Sequence, residues 1–142
     1  MTSYAPADPA RGALSALAGP LGVAALAVAA VGVVAVVDPN EAGHYPTCPF
    51  LALTGQACPG CGSLRAVHAL AHGDVGTALS LNLLTVLAVV PLVIIWAHWV
   101  GRTRSGTSRR TVAPAPVLWG LLVVVVAFGV LRNLPAFGWL AP

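Results

Sequence analysis

Residues 14–37 read LSALAGPLGVAALAVAAVGVVAVV, a stretch that contains no charged side chain. A transmembrane helix needs about 20 predominantly apolar residues, so this stretch is long enough to cross a bilayer. Asp38-Pro39-Asn40 follows at once, and a helix does not continue through such a turn. The stretch therefore predicts a first membrane-spanning helix. A cleaved signal peptide is the alternative, because Arg11 precedes the stretch, but a signal has a shorter apolar core of about 7–15 residues.

Two further apolar stretches follow, at residues 81–100 and 117–131. The first ends in tryptophan and histidine side chains, which commonly sit at the level of the lipid headgroups. The second is short, and we expect Arg132 beyond it to extend its long side chain toward the membrane surface. The sequence thus predicts an all-α integral membrane protein with about three transmembrane helices.

The composition of the whole chain agrees with a membrane protein of a single unit. Of its 142 residues, 58% are hydrophobic and 8% are charged, whereas soluble domains contain roughly 25% charged residues. The net charge of +3 is too sparse for nucleic-acid binding, which we exclude. We expect a tail at residues 1–13 and one membrane domain at residues 14–142, with membrane lipids as its surroundings.

The arginines predict an orientation in the cell membrane. Loops that lie in the cytoplasm are enriched in basic residues close to the ends of the spans. We therefore expect the N-terminus and the loop 101–116 in the cytoplasm and the loop 38–80 on the extracytoplasmic side. The arginines that mark the cytoplasmic loop are Arg102, Arg104, Arg109 and Arg110.

The outer loop 38–80 contains most of the reactive side chains of the chain. Two of its thiols lie in the turn Cys58-Pro59-Gly60-Cys61-Gly62. Residues 63–72 lack glycine and proline, so they predict a short amphipathic helix that begins near Cys61. The helical repeat brings the polar side chains of this segment to one face, and we expect that face to lie against protein. These side chains belong to Cys61, Arg65, His68 and His72.

A longer pattern surrounds this turn. It comprises Cys48-Pro49, Thr54-Gly55 and Cys58-Pro59-Gly60-Cys61-Gly62-Ser63-Leu64-Arg65-Ala66, followed by Leu70, Gly73, Ala78 and Asn82. In this pattern the chain resembles the bacterial domain of unknown function 2752 family, with Ser63 where threonine is common. The resemblance covers residues 48–82 and the span that follows. It implies a small membrane protein with the motif between hydrophobic segments, and it names no reaction.

Cys48, Cys58 and Cys61 are candidate ligands of a metal ion, zinc in particular. Structural zinc sites use three cysteines and one histidine around a Cys-x₂-Cys pair. The fourth ligand would be either His44, four residues before Cys48, or His68, seven residues after Cys61. Against zinc, such sites usually contain two cysteine pairs, and the nine residues between Cys48 and Cys58 leave only one pair here.

Thiol chemistry is a second interpretation of the same cysteines. The helix dipole stabilises a thiolate at a helix N-terminus, and Arg65 would add to this effect. Cys48 could then resolve a disulfide between Cys58 and Cys61. A thiol-disulfide oxidoreductase is nevertheless disfavoured, because 142 residues with three spans leave no room for a thioredoxin-like domain.

The interpretation that the sequence favours is structural. A disulfide or thiol cluster pins the outer loop onto the helices, Pro59, Gly60 and Gly62 shape its turn, and Arg65 pairs locally. Asn82, near the outer edge of the second span, could hydrogen-bond back to this loop. We therefore expect a small membrane scaffold or accessory subunit rather than an enzyme. Its partner would be another membrane protein or a second copy of this chain.

Overall fold

The computed structural model describes residues 9–106 and 113–141, and within these ranges every regular element is a helix. The expectation of an all-α chain is therefore confirmed for the described residues. The α-helices are α1 (Pro9–Val36), α2 (Pro49–Thr54), α3 (Ser63–Ala71), α4 (Val75–Leu81), α5 (Leu83–Arg104) and α6 (Ala115–Leu131). A 3₁₀ helix, Pro135–Leu140, follows α6.

Two helices are long and apolar enough to cross a membrane, at Leu17–Val36 within α1 and at Leu83–Arg104. Both helices are longer than the stretches predicted from the sequence, because α1 begins at Pro9 and α5 extends to Arg104. α6 is apolar and has 17 residues, at the short end of the range of about 17–25 residues for a membrane span. The large apolar side chains of these helices are mostly exposed, which favours lipid as their surroundings.

α1 and α5 pack against each other through two tryptophans. The indole Nε1 of Trp96 donates a hydrogen bond of 3.0 Å to the backbone carbonyl of Pro20. Gly19 makes room for the ring of Trp99, whose Cζ2 lies 3.2 Å from the point where a Cβ would sit. Because these contacts join the first half of α1 to the second half of α5, the two helices run antiparallel.

The chain between α1 and α5 contains the three short helices α2, α3 and α4. α3 is the amphipathic helix expected at residues 63–72. It packs on α4 through the buried alanines Ala66, Ala69 and Ala78, whose small side chains allow a close approach. Asp74 begins α4, where its carboxylate accepts a 2.9 Å hydrogen bond from the N–H of Thr77. Hydrogen bonds from Thr77 also hold the pKa of Asp74 below its ordinary value.

α6 stands apart from the other long helices. Within the described part of the chain it has no extensive packing contact with α1 or α5. Its carboxyl end instead lies against residues 57–61, through hydrogen bonds from Arg132 and Asn133. The cysteine turn thus links α6 to the rest of the molecule, and the 3₁₀ helix that follows α6 packs against α4.

Parts of the predicted topology lie outside the described residues. These parts are Arg109 and Arg110, in the segment 107–112, and residues 1–8 of the expected tail 1–13. Arg102 and Arg104 are described, and they lie in the last turn of α5. That turn is at the opposite end of α5 from the cysteine turn, because Asn82 at the start of α5 contacts the cysteine turn.

Candidate metal centre

The sulfur atoms of Cys48, Cys58 and Cys61 lie within 4.8 Å of one another, and we call them the sulfur cluster. The Sγ atoms of Cys58 and Cys61 are 3.0 Å apart, and those of Cys48 and Cys58 are 3.5 Å apart. All three cysteines of the chain are described, and all three are free thiols. The cluster therefore brings together every sulfhydryl group that the protein has.

The backbone of the cysteine turn explains how two of these sulfurs meet. The N–H of Cys61 donates to the carbonyl of Cys58 over 3.0 Å and so closes the turn. The N–H of Cys58 donates in the other direction, to the Sγ of Cys61 at 3.2 Å. Gly62 then adopts a φ of +83°, a left-handed conformation that glycine reaches without a steric cost. This conformation allows α3 to begin at Ser63, directly behind the cluster.

Cys48 approaches from a different segment, immediately before α2. Pro49 is the first residue of that helix, where the missing N–H of proline is no loss. The backbone amide of Leu51 lowers the pKa of Cys48, and the thiol of Cys58 adds to this effect. Burial has the opposite effect on Cys61 and raises its pKa to about 11, with the neighbouring Cys58 thiol contributing. The surroundings of Cys48 and Cys61 thus shift the pKa values of these two thiols in opposite directions.

Arg132, at the end of α6, is buried against the cysteine turn with 2% of its surface exposed. Its Nη1 donates hydrogen bonds to the carbonyls of Cys58 at 2.9 Å and Cys61 at 3.0 Å. The guanidinium carbon also lies 5.1 Å from the centre of the Phe128 ring. The long side chain of Arg132, expected to extend toward the membrane surface, thus binds the carbonyls of the cysteine turn.

Two donor atoms of Arg132 remain unused in this position. Its Nε and Nη2 are buried and have no hydrogen-bond partner among the described residues. Burying a cation with unpaired donors is unfavourable unless negative charge lies nearby. The only ionisable groups in the turn that Arg132 contacts are the thiols of Cys58 and Cys61. The position of Arg132 is therefore suited to a negatively charged state of the sulfur cluster.

Asn82 also holds the turn and is completely buried. Its amide nitrogen donates to the carbonyls of Pro59 at 2.9 Å and Cys61 at 3.0 Å. Its Oδ1 accepts a 2.9 Å hydrogen bond from the N–H of Thr85 and so caps α5. The position of Asn82 in the sequence suggested a hydrogen bond back to the cysteine loop, and the structure contains this bond. One side chain thus fixes the turn to the start of α5.

Asn133 and Gly129 attach α6 to the chain next to the first cysteine of the turn. The Asn133 amide forms two 2.8 Å hydrogen bonds with the backbone of Ala57, one in each direction. A Cβ at position 129 would lie 2.8 Å from the Cγ of Pro59, which is closer than real Cβ contacts. Glycine is therefore required where α6 passes the cysteine turn.

Neither histidine expected as the fourth ligand belongs to the sulfur cluster. The Nδ1 of His68 lies 2.8 Å from the carbonyl oxygen of Val34, and its Nε2 lies 3.8 Å from the carboxylate of Asp38. The Nδ1 of His44 lies 3.0 Å from the carbonyl oxygen of Asp38. Both rings are thus engaged at the end of α1. Among the described residues, the three sulfurs form the one group of three or more metal-binding side chains.

Arg65 lies in the wall of a cavity that Cys48 and Cys61 also line. The local pairing expected for its guanidinium is absent, because it makes no hydrogen bond or ion pair with the described residues. The remaining motif residues have structural positions. Pro59 contacts Gly129, Gly60 lies inside the turn, and Gly62 precedes α3.

Sequence reasoning missed Arg132 and Asn133 as parts of the site. The available signal was an Arg-Asn pair directly after an apolar stretch, at the end of the span that the predicted topology puts on the side of the cysteine loop. A polar pair there could equally contact lipid headgroups, so the signal alone did not indicate the cysteine turn.

Comparison with known proteins supports the resemblance found in the sequence. Residues 48–96 match the model of a protein family described as "Protein of unknown function (DUF2752)". No curated protein and no solved structure matches the chain significantly. The matched segment contains the complete sulfur cluster, Arg65 and Asn82, whereas α1, Arg132 and Asn133 lie outside it. The match supports the resemblance of residues 48–96 to this family.

Proposed function

We propose that this protein is an integral membrane protein whose sulfur cluster binds one thiophilic divalent metal ion, with zinc as the best-suited ion. The observation that carries the proposal is the convergence of all three cysteines within 4.8 Å. Thiolates select ions such as zinc over calcium or magnesium, which prefer oxygen ligands.

The spacing of the sulfurs supports a tetrahedral ion. Zinc–sulfur bonds of about 2.3 Å in a tetrahedron put neighbouring sulfurs about 3.8 Å apart. The distances of 3.0 Å and 3.5 Å between the thiols, with all three within 4.8 Å, bracket this value. Side-chain shifts of less than 1 Å at each thiol, roughly, suffice to bring the cluster to bonding geometry.

The charge of the surroundings supports the same conclusion. Three thiolates and one divalent cation carry a net charge of −1, which is costly to bury without a partner. Arg132 supplies one positive charge beside the turn, and its unpaired Nε and Nη2 leave donors for the thiolates. The N–H of Cys58 also donates to the Sγ of Cys61. Hydrogen bonds of this kind stabilise a coordinated thiolate.

A structural disulfide and a redox enzyme are the competing interpretations from the sequence. A disulfide would leave one cysteine unused. The Sγ of Cys48, however, lies 3.5 Å from the Sγ of Cys58, which is close enough for both sulfurs to bind one metal ion. A redox enzyme would need a readily ionised attacking thiol, and burial raises the pKa of one of the two thiols of the turn, Cys61. A metal uses all three thiols. The metal would also stabilise the cysteine loop, through which an accessory or scaffold protein could contact another membrane protein or a second copy of this chain.

Three membrane spans are part of the proposal. The cysteine turn lies near the end of α1 and the start of α5, and Arg132 at the end of α6 contacts it. Arg104 ends α5 at the opposite end, only ten residues before Pro114. The carboxyl end of α6 lies at the turn, and its 17 residues at about 1.5 Å per residue give it a length of about 26 Å, close to the thickness of the hydrocarbon core.

Metal analysis of the detergent-purified full chain tests the proposed site. We expect about one zinc ion per chain, and replacing any one of Cys48, Cys58 or Cys61 by serine should release it. The matched controls are His44→Gln and His68→Gln, which should keep the metal because neither ring is in the cluster. Folded protein without metal would overturn the proposal, and alkylation would then separate a Cys58–Cys61 disulfide from three free thiols.

A reporter fusion tests the three spans. Alkaline phosphatase is active only outside the cytoplasm, so we expect activity when it is fused to the carboxyl end of the full chain. A fusion after Gly106 should be inactive, since that site follows the arginine-rich end of α5. Equal activity at the two sites would mean that α6 does not cross the membrane.

A further inference from the structure

A cavity of about 460 Å³ adjoins the sulfur cluster, and no residue of α6 lines it. Its walls come from the segment 39–47 after α1 and from residues 60–65, which lead into α3. Cys48 and Cys61 both line this cavity. Cys58 faces a different groove, beside Gly129 and Asn133 of α6 and its carboxyl end. The cluster is therefore accessible from the cavity through two of its three sulfurs.

A metal ion in the cluster has an open coordination position. Zinc takes four ligands, and among the described residues only three donors come together. Sites with three protein ligands hold a water molecule or a small molecule in the fourth position. Because Cys48 and Cys61 line the cavity, a fourth ligand can reach the metal from there without displacing protein.

The cavity also contains groups that attract an anion. Arg65 lines it and makes no hydrogen bond or ion pair with the described residues. α3 has nine residues and begins at Ser63 in the same wall, and its N-cap, Gly62, provides no side-chain acceptor for its first N–H groups. Glu41 is the opposing charge in the wall, and its carboxylate lies 3.5 Å from the Nδ1 of His44.

The donors at the cavity indicate the class of ligand. The metal with three thiolates carries −1 and Arg132 carries +1, so these groups are neutral together. In the cavity wall, Arg65 contributes a positive charge and Glu41 a negative one. A carboxylate can pair with the guanidinium fork of Arg65 while one of its oxygens binds the metal.

We propose that the cavity binds a small carboxylate, which Arg65 holds and which completes the coordination of the metal in the sulfur cluster. This inference rests on the proposed metal site and adds its ligand. The carboxylate forms one oxygen–metal bond in place of water, and no bond of the carboxylate breaks. Cys48, Cys58 and Cys61 remain metal ligands throughout.

Cobalt substitution of the full chain tests this inference, with acetate as the probe. The absorption from thiolate to cobalt reports whether the three cysteines bind the metal, and the cobalt d–d bands report the fourth ligand. We expect acetate at constant ionic strength to change the d–d bands saturably. Arg65→Gln should weaken the apparent affinity for acetate at least tenfold and leave the thiolate absorption intact. Arg102→Gln, at the far end of α5, is the matched control and should behave like the unmodified protein.

The possible outcomes distinguish failure of the proposed metal site from failure of the proposed carboxylate site. Absence of the thiolate–cobalt absorption overturns the proposed function and the carboxylate site with it. Normal thiolate absorption without any response to acetate overturns the carboxylate site alone, as does an unchanged response in Arg65→Gln. If Arg65→Gln loses the metal, Arg65→Lys takes its place. It keeps the charge without the guanidinium fork, and acetate binding as tight as in the unmodified chain would contradict the proposal.

Discussion

The cysteine turn and the middle of α5 have opposite distributions of polar and apolar groups. Around the turn, Asn82 is completely buried and Arg132 is 2% exposed. On α5, Leu92 and Ile95 are more than half exposed. A protein in water buries its apolar groups and exposes its charges, so this chain has the reverse arrangement. This arrangement is the one expected if lipid surrounds the helices, as we propose, while polar contacts hold the turn.

The difference shows where the stability of this small fold arises. Between helices in lipid, apolar contacts gain little, because the lipid tails are as apolar as leucine. Hydrogen bonds away from water have no competing solvent, so an unmade bond is costly. The side chains of Arg132, Asn82 and Asn133 hold the turn by hydrogen bonds to its backbone. We therefore expect substitutions near the turn to have large effects and substitutions on the lipid-facing helices to have small ones.

Arg132→Gln should have the largest effect. It removes the charged donor from the carbonyls of Cys58 and Cys61 and the positive charge beside the cluster. Breaking buried hydrogen bonds to a charged group lowers the free energy of unfolding by about 3 kcal/mol. Denaturant titration in mixed micelles, followed by tryptophan fluorescence, measures this change, and zinc affinity should fall with it.

Arg104→Gln is the control for that substitution. Arg104 lies at the other end of the molecule, in the exposed last turn of α5. Losing it should change the unfolding free energy by less than about 0.5 kcal/mol. Equal effects of the two substitutions would contradict the distinction between the two regions.

Asn82→Asp should have the next largest effect. Aspartate keeps an oxygen that accepts from the N–H of Thr85, so the cap of α5 remains. It has no N–H to donate to the carbonyls of Pro59 and Cys61, and its charge faces them. We expect a loss of about 2 kcal/mol in the same unfolding experiment.

Ser80→Ala, which removes an exposed hydroxyl two residues away, is the control for Asn82→Asp. It should be nearly neutral. Stability of Asn82→Asp equal to that of Ser80→Ala would show that the hydrogen bonds to the turn contribute nothing.

Gly129→Ala and Gly120→Ala compare two positions on the same helix. A methyl group at position 129 meets the Cγ of Pro59 at 2.8 Å, whereas position 120 has no heavy atom within 4 Å. Overpacking at position 129 should cost about 1–3 kcal/mol. At position 120, alanine should be neutral or stabilise the helix by up to about 1 kcal/mol. Thermal unfolding of the two variants measures the difference, and the same sign for both would refute the close approach of α6 to the turn.

Leu92→Ala should have the smallest effect. Leu92 is 63% exposed on α5, and in the proposed membrane protein it would face lipid before and after the helices assemble. The expected change in unfolding free energy is below about 0.5 kcal/mol in lipid nanodiscs. A loss above 2 kcal/mol, roughly the cost of removing a buried leucine, would mean that a protein surface covers α5.

Local features of the fold were predictable from the sequence because their causes are local. The apolar stretches predicted α1, α5 and α6, and the absence of glycine and proline after Gly62 predicted α3. The position of Asn82 suggested a hydrogen bond to the cysteine loop across a short segment. Boundaries were less accurate, since apolar composition does not reveal that α5 continues to Arg104.

The contacts that complete the site were not predictable because they join distant segments. Arg132 reaches the carbonyl of Cys58 across 74 residues, and an arginine at the end of a span more often contacts headgroups. His68 was a candidate ligand because it is close to Cys61 in sequence. In the fold, the Nδ1 of His68 instead lies 2.8 Å from the carbonyl oxygen of Val34, at the end of α1. Both outcomes depend on which helix ends meet, and that information is absent from local patterns.

X-ray absorption at the zinc edge of the purified full chain tests the central claim most directly, because it counts the atoms bound to the metal. The account predicts three sulfur neighbours at about 2.3 Å and one oxygen or nitrogen neighbour at about 2.0–2.2 Å. Replacing His44 or His68 by glutamine should leave this spectrum unchanged, because neither ring lies in the cluster. A coordination shell of nitrogen and oxygen alone, or a folded protein that binds no zinc, would contradict the account.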